Sequence, residues 1–432
     1  MGTGQHTLRR RRVAVIGSGV SGLTAAHVLH RDDDVTLFEA DDRLGGHAHT
    51  HRIDGGPGGE LGVDSGFIVH NRRTYPHLLR LFDELGVHTQ PTEMSMSVSC
   101  RGCGLEYAGA RGMRAMLPNR SRRSPAYLRM LTEIPRFHRA ARRLLAATPP
   151  PGAAEPTLGA FVRHHRFTPY TVAHFLLPLV SAVWSCPPGT ATDYPARYLF
   201  SFLANHGMLS VWGSPRWRTV TGGSHAYVER VAKNLHAVRT GTPVTSLART
   251  ARGVRLRAGG EALDFDAAVV ATHADQALAL LADPTDAERE VLGAFGYSRN
   301  RTLLHTDASV LPADRDVWAS WNHRLASCEP DTEPDTEPVR VSYHMNRLQR
   351  LDADEQYVVT LNGADEVDPD RVVAAMDYAH PVYTPASLAA QRRLPELSDR
   401  AVAFAGAHHG WGFHEDGCRS GVRAAASLGV HW

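Results

Sequence analysis

The residues with the clearest chemical purpose lie near the start of the chain, in Val13-Ala14-Val15-Ile16-Gly17-Ser18-Gly19-Val20-Ser21-Gly22. An apolar run rich in β-branched residues leads directly into G-x-G-x-x-G. In this spacing Gly17 permits a tight turn, Gly19 lets the backbone approach a pyrophosphate, and Gly22 lets a helix pack closely on a strand. Ser18, Val20 and Ser21 complete the turn, and phosphates there would meet the positive end of a helix dipole. Glu39 stands seventeen residues past Gly22, at the end of the apolar run Val35-Thr36-Leu37-Phe38, with Ala40 behind it. A carboxylate at that place can accept from both ribose hydroxyls. Strand, glycine turn, helix and acid together predict a dinucleotide site.

A second concentration of reactive side chains is His408-His409-Gly410-Trp411-Gly412-Phe413-His414. It follows a strand-like run ending at Phe404, so it is expected to face the same site. His409 and His414 are the candidates for accepting a proton, if their pKa values stay near that of an ordinary imidazole. Trp411, Trp184 and Tyr343 are candidate walls of a substrate slot. His47, His49 and His51 alternate, which on a strand puts all three on one face. A metal would need further ligands, so His47 is expected at the cofactor and the other two at the surface. Cys100 and Cys103 have paired spacing at the tip of a hairpin between 94–98 and 105–107. A zinc knuckle requires a second pair, which the sequence does not show, so a reduced turn and no metal site are expected.

Several elements must position these groups. A strand over 67–69, a turn over 71–76 and an amphipathic helix over 77–85 precede Gly86, a helix stop. The pattern is helical over 112–147, broken by Pro149-Pro150-Pro151, and a helical pair spans 158–183. From about residue 218 short β and α units return, with a helix over 226–235 and strands over 254–256, 262–265 and 267–271. Strands over 309–357 are broken by a loop carrying two copies of Glu-Pro-Asp-Thr (329–336), to which no function is assigned. A strand over 401–404, a glycine-rich turn and a helix over 417–428 close the chain and offer N–H groups to a second acceptor.

The 432 residues, 43% hydrophobic with a net charge of +2, describe a globular protein of two domains or one large α/β body. The balanced charge excludes a nucleic-acid binder. No apolar run reaches the roughly 20 residues of a membrane span. Arg9 to Arg12 lead into the first βα unit and not into an export signal, so a cytoplasmic protein is expected. Residues 111–143 hold ten arginines against one acid, Glu133, with Met113, Met116, Tyr127 and Leu128 interleaved. That composition suits peripheral contact with an anionic membrane face.

Five segments in order resemble the flavin-containing amine oxidase superfamily, which includes the phytoene-desaturase-like enzymes. They are the glycine turn with Glu39; Arg43-Leu44-Gly45-Gly46; Asp64-Ser65-Gly66; Thr221-Gly222-Gly223 with Val244 and Val269-Val270-Ala271-Thr272; and Phe404-Ala405-Gly406 with Glu415-Asp416-Gly417. The resemblance implies an α/β, two-domain FAD-binding fold of the glutathione-reductase-like type. A Rossmann-like FAD domain would comprise 10–92, 216–280 and 396–432, and a mixed sheet-plus-helix substrate domain 93–215 and 281–395. It further implies FAD contacts from Arg43, Gly45, Gly46, His47, Gly66, Phe67, Ile68, Val244, Ala271, Gly406, Asp416 and Gly417. No cysteine stands in the superfamily's covalent-flavin context, which implies non-covalent FAD.

Two departures from that pattern matter. His47 replaces an arginine, and the single lysine, Lys233, lies far from the strands that supply the lysine of amine-oxidising members. Amine oxidation is thereby disfavoured. Residues 45–47, 343–349 and 410–417, with Trp184-Ser185, Pro187-Pro188 and Trp217 to Val220, are similar to bacterial flavoproteins often encoded beside cyclopropane-fatty-acid synthases. This closer resemblance implies an FAD-dependent oxidoreductase, desaturase-like, acting on a fatty acyl or phospholipid substrate. A double-bond isomerase, an amine oxidase, and a flavin-bearing partner of a lipid methyltransferase are the alternatives.

Overall fold

The computed structural model describes residues 9–56, 59–118, 124–148, 155–210, 213–328 and 339–432. Its organising element is a five-stranded, all-parallel sheet in the order Ala237–Arg239, Asp34–Phe38, Arg12–Ile16, Ala267–Val270, Val402–Phe404. A strand in the middle of such a sheet is covered on both faces, which is why 13–16 is apolar without alternation. Val13 and Val15 pack on one side with the helix Val20–Leu29, and Ala14 and Ile16 on the other with the antiparallel strands Val244–Thr250, Gly253–Ala258 and Glu261–Phe265.

Every residue of Val20–Leu29 is buried, because the helix lies between the sheet and the C-terminal helix His414–Ser427. Small residues make that contact possible: a Cβ on Gly421 would come within 2.3 Å of the Ser21 carbonyl oxygen. The final helix begins at His414, three residues before the expected Gly417. Asp416 accepts the Phe413 N–H at 3.1 Å and so caps the earlier turn.

A second sheet of seven strands runs Val372–Val382, Gly296–His305, Val358–Leu361, Val341–His344, Trp321–Leu325, Met96–Cys100, Glu106–Gly109. All its pairs are antiparallel except Trp321–Leu325 with Met96–Cys100. Helices Pro125–Ala146, Leu158–His164, Leu177–Trp184 and Ala196–Asn205 gather around Phe137, Phe161, Phe200 and Trp184 as a separate apolar cluster.

Local pattern and structure differ where tertiary contacts decide. The strand expected over 67–69 is Val69–Asn71, set by pairing with Trp217–Val220. The expected helix over 112–147 is two, Met113–Met116 and Pro125–Ala146. The later helical pair breaks at a π-turn, Val172–Leu176. Pro178 has no N–H to give the His174 carbonyl, and the Tyr107 hydroxyl donates to it instead at 2.8 Å. Helix Pro76–Leu85 does end at Gly86, in a left-handed cap with φ +66. The tandem tetrapeptide, the triple proline and Arg120, Arg122 and Arg123 lie outside the described residues. Among the described residues no helix is long and apolar enough to cross a membrane.

Candidate active site

A cavity of about 1190 Å³ runs from the carboxyl ends of the parallel strands to the seven-stranded sheet. Its first end is made mostly of backbone. Gly17 has φ +97 and turns directly beside Ala271, whose carbonyl oxygen a Cβ would approach to 2.8 Å. A Cβ on Gly22 would lie 1.9 Å from the Gly17 carbonyl oxygen, so helix and turn touch. Gly19, by contrast, heads its helix facing open space, with nothing within 4 Å of an added Cβ. That is where a pyrophosphate would sit against unpaired N–H groups.

Glu39 Oε2 accepts the Ser18 N–H at 2.8 Å and also the Ser18 hydroxyl, whose oxygen accepts the Gly45 N–H at 3.0 Å. Oε1 accepts the Asp41 N–H at 3.1 Å and keeps a lone pair for a ribose hydroxyl. Arg43 donates to the Gly46 carbonyl at 2.9 Å, and Gly46 packs against Gly19. Val20, Ser21, Ala40, Val244 and Ala271 complete this end.

In the middle, a Cβ on Gly66 would come to 2.2 Å from the His47 carbonyl oxygen, so the two segments meet backbone to backbone, with Phe67 and Ile68 alongside. His47 stacks on Tyr378 at 4.8 Å. Its buried Nε2 has no protein partner, and neither has Nε2 of His408, which lies over Gly406. Such orphaned polar atoms are costly unless something else pairs with them. An open cradle at Gly19, a free carboxylate lone pair and two orphaned imidazole nitrogens along one cavity fit a dinucleotide-linked flavin. Gly22, Gly45, Asp416 and Gly417 do not reach the cavity. They act behind its wall: Gly417 against Val20, and Asp416 as the cap of the last helix and partner of Arg419 at 2.7 Å.

The far end is built from side chains. Trp184, Phe202, Trp217, Trp321, Tyr343, Trp411 and Phe413 wall it, drawn from both sides of the molecule. Trp184 Nε1 donates to the Trp411 carbonyl at 3.2 Å, and Phe413 stacks on Phe202 at 4.7 Å. His414 lies flat on Phe67 with ring centroids 3.7 Å apart, and its Nε2 is 3.3 Å from the Tyr227 hydroxyl.

The two histidines expected to accept a proton near neutral pH require correction. Burial pushes His414 down to about 3 and His409 to about 4. His409 also misses the cavity and lines a separate pocket of about 390 Å³ with Gln391 and Arg419. In the tight turn Ala407–His409 successive side chains diverge by a third of a revolution, so His408 faces the cavity in its place. His49 and His51 are not free surface groups either. Their rings lie 4.0 Å apart, bonded to the Tyr378 and Ser65 hydroxyls at 3.1 and 2.9 Å.

Sequence reasoning also missed Tyr378 and His380, which alternate with Met376 along the edge strand Val372–Val382. That period of two was the available signal. Phe202 and His206, four apart on one helix face, were the other. Burial keeps His47, His206, His273, His380 and His414 neutral at pH 7. Of the acids at the cavity wall, Asp41, Asp275 and Asp377 are exposed, and Asp377 is paired to Arg301 at 3.0 Å. Lys233 is exposed beyond the helix His225–Ala232 and takes no part in the lining.

A parallel sheet carrying a dinucleotide cradle, joined to a second sheet across an aromatic cavity, defines a two-domain nucleotide-cofactor oxidoreductase. Residues 20–428 match the family described as flavin containing amine oxidoreductase. The chain belongs to that family and is by class a flavin-dependent oxidoreductase. It is 28% identical over 287 residues to AofH of Mycobacterium tuberculosis, provisionally assigned as a flavin-containing monoamine oxidase, covering 63% of this chain and 59% of that one. The chain thus spans less than two thirds of the length of the curated relatives it matches. Among solved structures it is similar to cyclohexylamine oxidase from Brevibacterium oxydans IH-35A, with a TM-score of 0.69, 17% identity and 97% and 98% of the two chains covered. It is also similar to a fatty acid isomerase producing CLA from P. acnes, with a TM-score of 0.67, 16% identity and 95% and 97% covered. These two likenesses are of fold.

Proposed function

We propose that the protein is an FAD-dependent oxidoreductase that takes hydride from an uncharged, hydrophobic substrate, a fatty acyl chain or phospholipid. The observation that carries this reading is the chemistry of the far end of the cavity. Seven aromatic side chains and neutral imidazoles surround it, lysine is absent from its lining, and the lining acids beyond Glu39 are exposed. A protonated amine would find no buried counter-ion there, whereas an alkyl chain gains about 25 cal/mol for each Å² of apolar surface it buries. When bound, FAD supplies the hydride acceptor, and no charged side chain is then needed at the reacting carbon. Trp184, Tyr343 and Trp411 hold the chain, and their bulk excludes water. No cysteine lines the cavity, which supports non-covalent FAD.

Double-bond isomerisation uses the same geometry without net oxidation, and the similar fold of a fatty acid isomerase makes it the second reading. Membrane supply of the substrate is part of the proposal. Met113 and Leu128, 67% and 45% exposed, stand out among the arginines of 111–143 as apolar groups facing solvent. A basic surface with protruding apolar side chains suits an anionic lipid face. A lipid methyltransferase would be a partner at the same surface.

The test is the visible spectrum of the purified protein before and after anaerobic addition of bacterial phospholipid extract. Bleaching of the yellow band is expected. An unchanged spectrum with shifted double bonds in the recovered lipid would install the isomerase reading, and unchanged lipid would overturn both.

A further inference from the structure

The cysteine pair that looked incomplete in the sequence is completed by the fold. Cys100 ends the strand Met96–Cys100, Cys103 lies in the turn before Glu106–Gly109, His174 sits in the π-turn Val172–Leu176, and Cys328 follows the strand Trp321–Leu325. One ligand atom from each of the four lies within 4.8 Å of all the others. We propose that Cys100, Cys103, His174 and Cys328 form a tetrahedral zinc site, distinct from the flavin cavity.

Two of the six ligand-to-ligand edges match such a centre, and all six are within 4.8 Å. With Zn–S near 2.3 Å, the S···S edge of a tetrahedron is about 3.8 Å, and with Zn–N near 2.05 Å the S···N edge is about 3.6 Å. Cys100 Sγ to Cys328 Sγ is 3.8 Å, and Cys103 Sγ to His174 Nε2 is 3.6 Å. The sulfur separation is far beyond the ~2.05 Å of a disulfide. All five cysteines described are free.

The surroundings prepare the ligands. His174 Nδ1 is 3.0 Å from the Tyr170 carbonyl oxygen, which can only accept, so the proton is on Nδ1 and the Nε2 lone pair points into the cluster. Its ring is held by stacking on Tyr170 at 4.0 Å. The Tyr107 hydroxyl anchors the His174 carbonyl that Pro178 leaves unpaired. In the cysteine turn, the Gly104 N–H returns to the Cys100 carbonyl at 2.9 Å. A Cβ on Gly102 would come to 2.9 Å from the Cys328 nitrogen and 3.2 Å from its sulfur, so only glycine lets the two strands of ligands close.

Three thiolates and an imidazole are soft and borderline ligands that select zinc over magnesium or calcium. With all four positions filled by protein, the site is closed and structural, not catalytic. Binding releases the three thiol protons to solvent and changes no oxidation state. The centre would tie the hairpin, the π-turn and the segment after Trp321–Leu325 together. Through Pro169–Trp184 it would also brace Trp184 at the cavity wall. Exposed Cys103 provides the way in.

The experiment is elemental analysis of the purified flavoprotein, with a parallel preparation grown on cobalt. About one zinc per chain is expected. Cobalt should give the ligand-field bands of tetrahedral thiolate coordination beyond the red edge of the flavin absorption. Cys103→Ser and Cys328→Ser should each retain the flavin and lose at least nine tenths of the metal. Cys103 is exposed, so its replacement removes little packing. Two outcomes would overturn the proposal: wild-type protein holding under a tenth of an equivalent after zinc addition with reductant, or both variants retaining full metal.

Discussion

The two ends of the flavin cavity are built on different principles. At the nucleotide end, Gly17, Gly22 and Gly46 bring backbone against backbone, Gly19 leaves the cradle open, and Glu39 is the one side chain whose chemistry matters most. At the aromatic end the backbone is distant and Trp184, Tyr343, Trp411 and Phe202 define the space. Backbone binding tolerates no added atom but needs few residue types, all within short stretches of chain. Side-chain walls tolerate exchange of one apolar group for another, and they assemble residues more than two hundred positions apart. The first end therefore holds a constant cofactor, and the second can be retuned to a new substrate without touching the first.

The largest effect should come from breaking the nucleotide end where helix and turn touch. Gly22→Val places carbon atoms into the Gly17 carbonyl, 1.9 Å from the new Cβ. A backbone oxygen cannot step aside as a side chain can, so a loss above about 3 kcal/mol is expected, at the upper end of overpacking costs. The protein should purify without flavin or not fold at all, read by absorbance and thermal unfolding. Retention of normal flavin and melting would remove the contrast between the two ends.

Acid should come next, and it acts on both sides of the molecule. Burial lowers His70, His305, His323 and His344 to about 4 from an ordinary 6.5. A base lowered in the folded state contributes stability that is full above pH 6.5 and is lost as pH falls toward 4. Asp64 and Asp416, raised to about 6 by burial, work oppositely, gaining stability as pH falls through 6. The depressed histidines outnumber the two raised carboxylates, so stability falls as pH drops below 6.5, each unmatched proton costing up to about 1.4 kcal/mol per pH unit. Melting temperatures between pH 7 and 5 should fall steeply, and His323→Leu should reduce the slope by one proton. A flat profile would contradict the burial of these rings.

Two milder substitutions separate the ends directly. Glu39→Ala removes the acceptor of the Ser18 N–H and the ribose contact, about 1–2 kcal/mol or roughly tenfold in FAD affinity, with substrate KM little changed. Trp411→Ala should do the reverse. It opens the wall beside Trp184 and should raise KM about tenfold, as expected for losing one well-packed aromatic contact, while FAD affinity holds. Titrating flavin into apoprotein and measuring lipid turnover in both variants gives the cross. If Trp411→Ala released flavin, the two ends would be one unit.

The same distinction explains what was legible in advance. The parallel strands, Gly17 to Gly22, Glu39 and the Gly86 stop were readable because each is a local pattern imposed by local geometry. His408 and not His409 faces the cavity because one residue of turn decides which ring points inward, and no periodicity carries that. Tyr378 and His380 are marked by alternation on one strand, but the cavity they face is assembled from segments far apart in the chain. Cys100 and Cys103 looked like a half-site because His174 and Cys328 lie 71 and 225 residues beyond the second cysteine. Only the pairing of Trp321–Leu325 with Met96–Cys100 brings the last of them alongside.

The smallest expected effect sharpens the substrate end. Lys233 follows the helix His225–Ala232 on the exposed surface and does not line the cavity. As the single lysine of the chain, it is the one lysine that could position a water at the reacting atoms. Lys233 is the C-cap of that helix, but the bond there is made by its backbone N–H, to the Glu229 carbonyl at 3.0 Å, so an exchange of the exposed side chain should stay within about 0.5 kcal/mol. Lys233→Gln should therefore change lipid turnover, flavin content and melting by less than about twofold or one degree. A large loss of turnover with flavin intact would mean that Lys233 reaches the chemistry after all. The neutral aromatic wall would then be a scaffold for amine oxidation, and the division of labour between the two ends would have to be redrawn around that one charge.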